Sequence, residues 1–302
     1  IKKIDRYYFE NLQKGDVSIF IGYAIDVAFV SRKNWVLVNH EYSYYIFSRE
    51  KINEKILSKI DKFLCKTKIG FEVIKNFKDK YHYKFDVEYI GFTSPFFRCL
   101  KQKNWNLALH AGYATRQKNS GVVLRCWYKY HDLLDLIFIK DKEKLLEMVK
   151  KEEISEEIYQ AVIKNEIKNL RYFEPMPENE FEEILCTSGL ILAPSRTEGF
   201  GHFINEGRMV KSVVIVPDYP PMNELINEDS GILVRISKKY QKTEFDYFVD
   251  ISEDDLHDSI IHYMELPDSV KEQMAQKSFE NYVKGRKEFF ERFGNLLERE
   301  IK

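Results

Sequence analysis

The chain has 302 residues, 44% of them apolar and 15% aromatic, with 47 Lys and Arg against 48 Asp and Glu. That composition makes a soluble globular protein the expectation, and the length can bury the cores of two ordinary domains. No stretch approaches the roughly 18 uninterrupted apolar residues of a membrane helix, and the opening Ile-Lys-Lys-Ile-Asp-Arg lacks a secretory apolar block, so the cytoplasm is the expected compartment.

In chain order, apolar runs rich in Val, Ile and Phe stand at residues 17–21, 35–38 and 86–90. Gly-Phe-Thr-Ser-Pro at 91–95 then interrupts the pattern and marks a domain boundary near residue 100. Further runs follow at 107–110, 134–139, 189–192 and 213–216, with helical patterns between them. Runs of this kind, buried on both faces and alternating with helices, predict parallel sheets with helical crossovers: a doubly wound α/β chain with two sheets. Residues 267–302 are highly charged with apolar residues at helical spacing, which predicts one or two amphipathic helices. The expected domains are therefore 1–100 and 101–266, with 267–302 as carboxyl-terminal helices packing back toward the first. Cys65, Cys99, Cys126 and Cys186 stand far apart, in neither a metal-ligand spacing nor a disulfide array, and read as reduced core residues.

Residues 1–100 carry 18 Lys and Arg against 12 Asp and Glu, the remainder 29 against 36. A basic first part fits an anionic acceptor or peripheral contact with lipid head groups, and a solvated surface explains it equally well. No nucleic acid is expected as a partner.

The stretch APSRTEGFGHFINE, residues 193–206, follows directly on the apolar run 189–192. In open α/β sheets the ligand sits beyond the carboxyl ends of the strands, so chemistry is expected here. Gly199 and Gly201 remove side chains and permit positive φ. From His202 the pattern reads as a helix, whose first amides and positive dipole end receive an anion such as a diphosphate. Glu198 lies in the loop and Glu206 about one turn into that helix, so the two can face one cavity. Carboxylates repel a phosphate, so these are expected to accept hydrogen bonds from neutral hydroxyls, as on sugars. A nucleotide sugar supplies both the anion and the hydroxyls.

The phrase Pro194-Ser195-Arg196-Thr197-Glu198-Gly199-Phe200-Gly201, with a second Glu after seven residues, resembles the signature of the retaining glycosyltransferases of family 4 type (group 1 transferases). Upstream, NLRYFEPMPENEFEEILCTSGLILAPS looks like that family's nucleotide-binding strand, turn, helix and strand. LALHAGYATRQKNSGVVLRCWYKY resembles the opening of its carboxyl-terminal domain, and VVIVPDYPPMNELINEDSGILV its later strands. The match covers residues 105–235 well and the rest loosely.

The resemblance implies the GT-B fold: two Rossmann-like doubly wound parallel-sheet domains facing a cleft. Here the amino-terminal, acceptor-side domain (1–100) is abbreviated and lacks the family's early Gly-rich loop; 101–266 is the nucleotide-sugar-binding domain. It assigns Glu206 to the ribose hydroxyls, Glu198 to a hydroxyl of the donor sugar, and the amides of Gly199, Phe200, Gly201 and His202 to sugar and phosphate. Gly112 shapes the phosphate turn, Arg116 and Lys118 neutralise the leaving diphosphate, Phe173 and Pro175 border the base, and His40 lies on the acceptor side. Independently of resemblance, breaking a glycosyl-phosphate bond puts negative charge on the leaving oxygen, which fixed cations stabilise.

The implied activity is transfer of a sugar from a nucleotide-diphosphate sugar to a hydroxyl of a glycan, lipid or small acceptor, with retention of configuration. No cofactor and no metal is expected: Glu253-Asp254-Asp255 reads as a helix cap and first turn, and His82, His131, His257 and His262 have no metal spacing. His110 reads as a satisfied structural histidine. The alternative is a non-catalytic nucleotide-sugar-binding module of a larger protein. A nucleotide-sugar epimerase of similar architecture ranks below both, since the Glu-Gly-Phe-Gly phrase is not its hallmark.

Overall fold

The central strands form where apolar, largely β-branched and aromatic side chains are sealed on both faces, and helices return the chain so that neighbours run parallel. A computed structural model describes residues 17–22, 31–39, 54, 56–97, 99–112, 116–241 and 247–300. The chain divides into two compact units: residues 1–93 with 241–246 and 285–302, and residues 94–240 with 247–284.

The first unit holds a parallel sheet of β1 (Val17–Gly22), β2 (Lys33–Val38), β3 (Lys62–Cys65) and β4 (Asp86–Tyr89), in that order. Alternation along β2 explains its unbroken apolar run. Val36 and Val38 pack with Phe63 and Ile74 on one face, while Trp35 and Leu37 pack with Leu64, Ile90 and Leu296 on the other. Between β3 and β4 runs α1 (Lys68–Tyr81), whose first turn is capped by Thr67 Oγ1 accepting from the Gly70 amide at 3.1 Å.

The second unit holds a six-stranded parallel sheet in the order β10-β9-β8-β5-β6-β7. Its strands are β5 (Asn104–Ala111), β6 (Asp135–Ile139), β7 (Leu170–Phe173), β8 (Ser188–Leu192), β9 (Val213–Pro217) and β10 (Ile232–Val234). The crossovers are α2 (Ser120–Lys129), α3 (Lys142–Lys150), α4 (Glu156–Ile163), α5 (Glu178–Thr187), α6 (His202–Met209) and the short α7 (Met222–Leu225). The chain winds outward from β5 to β7, then returns to begin again at β8, beside β5. This reversal is the switch point at which such sheets bind ligands, beyond the strands' carboxyl ends. After a pair of short strands, β11 (Lys238–Gln241) and β12 (Tyr247–Asp250), come α8 (Glu253–Glu265) and the single 33-residue helix α9 (Asp268–Glu300).

One cysteine expectation is corrected. Cys99 and Cys186 are joined, with Cα atoms 5.7 Å apart, although 87 positions separate them in sequence. Tertiary folding alone makes that neighbourhood, so spacing carried no sign of it. Cys65 and Cys126 are free and buried, and burial pushes both thiols up.

Candidate functional site

The loop leaving β8 and the turn leaving β5 meet at the switch point. Glu198 is 5% exposed, and its Oε1 accepts from Ser195 Oγ at 2.6 Å and from Lys118 Nζ at 2.6 Å. Two residues 80 positions apart, each singled out in the sequence, thus form one ion pair. Lys118 ends a three-residue 3-10 turn, Arg116–Lys118.

Helix α6 begins three residues beyond the loop's Gly199. Its cap, Gly201, takes φ +82°, and a Cβ there would stand 2.8 Å from Leu225 Cδ1, so the position favours glycine on both counts. Gly199 does not share this: of the two glycines that permit positive φ, only the helix cap adopts it. Glu206, in the second turn, is half-buried, and burial pushes its carboxyl up while the Lys118 charge opposes the shift. Among the described residues its carboxylate makes no hydrogen bond, which leaves it an open acceptor. Lys118 therefore acts on both glutamates, paired with one and electrostatically coupled to the other.

Beneath this cluster lies a buried polar chain. His110 Nδ1 is 2.9 Å from the Leu192 carbonyl and Nε2 is 2.9 Å from Ser120 Oγ. Because a carbonyl only accepts, Nδ1 carries the proton and Nε2 accepts from the serine. Burial pushes the imidazole down to about 3, so it is neutral, in agreement with a structural role. Lys140 Nζ donates to the Gly112 carbonyl at 2.8 Å and lies 3.5 Å from Ser120 Oγ, and burial lowers it to about 8. A Cβ on Gly112 would come within 2.3 Å of Ser120 Oγ and 3.0 Å of His110 Nε2. The ends of β5, β6 and β8 and the start of α2 are thus tied together under the turn that Gly112 opens.

Other expected residues stand apart. The side chain of Arg116 is 67% exposed and its Nε pairs with Glu153 Oε1 at 3.2 Å, away from Lys118. With about three residues per turn, side chains two apart on a 3-10 turn point in different directions, so these two cations do not converge. Phe200 is buried, its ring 5.1 Å from that of His202. His202 is exposed, and its Nδ1 lies 3.3 Å from Ser94 Oγ. Phe173, the last residue of β7, and Pro175 just beyond it are exposed, and between them Glu174 Oε2 accepts from the Lys142 amide at 3.0 Å. His40 lies outside the described residues. At Glu253-Asp254-Asp255 the cap is Ser252, whose Oγ accepts from the Asp255 amide. Among the described residues no group of three or more His, Cys, Asp or Glu is placed to hold a metal ion, and no helix is long and apolar enough to cross a membrane.

Three residues of the site were missed in the sequence. Arg196 Nε donates to Asp250 Oδ1 at 2.6 Å and its Nη1 to the Arg116 carbonyl at 2.8 Å, while its amide donates to the Gln117 carbonyl at 2.7 Å. Asn119 Nδ2 reaches the same Asp250 oxygen at 3.1 Å. Arg196 occupies an unspecified position of the phrase, and nothing in the sequence links it to Asp250, 54 residues on.

No family model and no curated protein matches the sequence. Solved structures do match in three dimensions. The pneumococcal O-GlcNAc transferase GtfA, in complex with UDP and GlcNAc, superposes with a TM-score of 0.70 at 16% identity over 98% of this chain. The chain has the GT-B fold. A mutant of S. aureus TarM in complex with Fondaparinux, alpha-GlcNAc-glycerol and UDP gives a TM-score of 0.66 at 16% identity over 96%. Sucrose-phosphate synthase from Thermosynechococcus elongatus gives 0.63 at 10% over 94% and is covered over 73% of its own length. The chain spans 59% of the GtfA chain and 57% of the TarM chain. Within this GT-B chain the Lys118–Glu198 pair and the tip of α6 stand at the β5/β8 switch point of the second unit.

Proposed function

We propose that the chain is a glycosyltransferase that moves a sugar from a nucleotide-diphosphate sugar to a hydroxyl of a glycan, lipid or small acceptor, with retention of configuration. The observation that carries this is the convergence of Lys118, Glu198 and Glu206 at the amino end of α6. The helix tip and Lys118 would receive the diphosphate, and the two carboxylates the hydroxyls on either side of it.

As the glycosyl-phosphate bond breaks, charge grows on the leaving oxygen, and a cation already in place stabilises it without reorganisation. Attack from the face that the diphosphate leaves lets a phosphate oxygen take the acceptor proton, so no dedicated protein base is needed. Positioning and charge stabilisation then supply most of the rate enhancement. Glu198, itself held by the Ser195 hydroxyl, holds the Lys118 ammonium in place, and Glu206 offers its open acceptor to the ribose. No metal is required in this scheme. A cytoplasmic enzyme with peripheral contact to anionic lipid through its basic amino-terminal part fits the charge distribution.

The test is incubation with UDP, GDP, ADP and dTDP sugars and a panel of glycan, glycolipid and small hydroxyl acceptors, with and without a chelator. Transfer is followed by mass spectrometry and anomeric configuration by NMR. Because the GtfA and TarM structures contain UDP, UDP sugars are tried first. Retained configuration and chelator-insensitive transfer support the proposal. Nucleotide binding without turnover on every donor supports a non-catalytic module instead, and absence of nucleotide binding overturns both.

A further inference from the structure

A 3-10 turn of three residues is a weak scaffold for a group that must meet a transition state, because its hydrogen bonds are few and poorly aligned. The turn Arg116–Lys118 buries none of its residues, so packing does not hold it either. Polar contacts hold it instead. The guanidinium of Arg196 takes the Arg116 carbonyl at 2.8 Å, and its backbone amide takes the Gln117 carbonyl at 2.7 Å. Asp250 Oδ1 receives both Arg196 Nε at 2.6 Å and Asn119 Nδ2 at 3.1 Å. The residues on both sides of Lys118 are thereby fixed, while its own side chain extends to Glu198. The Arg196 carbonyl also accepts from the Val249 amide at 3.0 Å, which seats the arginine against the strand that carries Asp250. The ion pair is mostly shielded, its side chains 14% and 21% exposed, so these charge-assisted bonds are weakly screened.

We infer that Arg196, braced by Asp250, is a positioning residue that fixes the 116–119 turn and so aims the Lys118 ammonium. Arg196 lies two residues before Glu198, so one short segment carries both the carboxylate and the brace for its cation. The guanidinium is suited to this because its fork serves Asp250 and the Arg116 carbonyl together; a single ammonium on a flexible stem cannot. The catalytic consequence rests on the proposed role of Lys118 toward the leaving diphosphate, whereas the geometric claim does not.

The experiment compares Arg196→Gln, Arg196→Lys, Asp250→Asn, Lys118→Ala and the Arg196→Gln/Lys118→Ala pair in the whole chain. Two readouts are used: steady-state kinetics with the best donor, and NMR of 13Cε-labelled lysine, with Lys118 assigned by its loss in Lys118→Ala. A group displaced by about 1 Å costs up to about 100-fold, so Arg196→Gln is expected to lower kcat between about 10- and 100-fold with KM for donor changed less than about threefold. Asp250→Asn and Arg196→Lys fall between it and the native chain. In the Lys118→Ala background, Arg196→Gln costs less than about threefold further, since there is no ammonium left to aim. In the spectrum, Lys118 stands apart from the surface lysines in the native chain and merges with them in Arg196→Gln.

An equal kcat loss in both backgrounds overturns the inference, because a merely structural role would persist without Lys118. An unmoved Lys118 resonance in Arg196→Gln overturns it whatever the kinetics show. If Lys118→Ala leaves turnover unchanged, the leaving-group reading of Lys118 fails, and the resonance alone decides whether Arg196 positions that side chain.

Discussion

Replacing Lys118 by Met keeps the aliphatic stem but strips the cation from Glu198, whose side chain is 7% exposed against 23% for the lysine. Among the described residues, Glu198 would then retain only the Ser195 hydroxyl. Exposed pairs are worth about 0–1 kcal/mol, and breaking a fully buried pair costs about 3–5 kcal/mol, so this lopsided pair places the loss for Lys118→Met at about 2–3 kcal/mol. Glu198→Gln should cost only about 1 kcal/mol, because the orphaned ammonium reaches water and the amide still bonds Ser195. The double variant leaves no stranded charge and should cost about 1–1.5 kcal/mol, well short of the sum, which gives a coupling of about 2 kcal/mol. Urea unfolding followed by circular dichroism at constant m-value measures each corner of this cycle. Singles that simply add would show that the pair is not the electrostatic unit claimed, and the argument for a preset cation would fail.

Gly201→Ala forces a side chain into left-handed backbone, which costs about 1–2 kcal/mol, and displaces the helix tip; urea unfolding should show that loss, and nucleoside diphosphate affinity by calorimetry should fall with it. Glu206→Gln should stabilise the free chain at pH 7, since a carboxyl raised by burial makes its ionised form a liability above its unfolded pKa, and the gain should vanish as pH falls below about 4. The same change should weaken nucleoside diphosphate binding about 10-fold or more, because a charged acceptor for hydroxyls is lost; unchanged affinity counts against the ribose assignment. For Lys140, lowered to about 8 in the fold, the unfolded chain holds the proton at higher pH than the folded one, so its contribution to stability rises with pH through that window. The stability difference between the native chain and Lys140→Met should therefore grow by about 2 kcal/mol from pH 8 to pH 10, and a flat difference would contradict the buried ammonium.

What the sequence showed and what it hid divide along physical lines. Strands such as β2 and β9 were legible because both faces are sealed, which forces an unbroken apolar run. β3 was not, because it opens on one lysine and is followed by another, both of which read as surface yet are buried: Lys62 is neutralised by Glu300 at 2.7 Å, and Lys66 donates to Asn39 at 2.7 Å. Glu198, Gly201 and Glu206 announced themselves because one short loop and one helix turn carry all three. Arg196, Asn119 and Asp250 did not, since hydrogen bonds across 54 to 131 positions leave no trace in spacing. Arg116 was singled out beside Lys118, but its pairing with Glu153 was not legible. Closeness to Lys118 along the chain looked like partnership, and the pitch of a 3-10 turn sends the two side chains to different partners.

The most direct measurement is a crystal structure of the chain soaked with a UDP sugar or its unreactive analogue. The account predicts the diphosphate against Lys118 and the first amides of α6, with Glu206 on the ribose and Glu198 on the sugar. Density for the nucleotide elsewhere, with Lys118 still closed on Glu198 and Glu206 facing water, would contradict it.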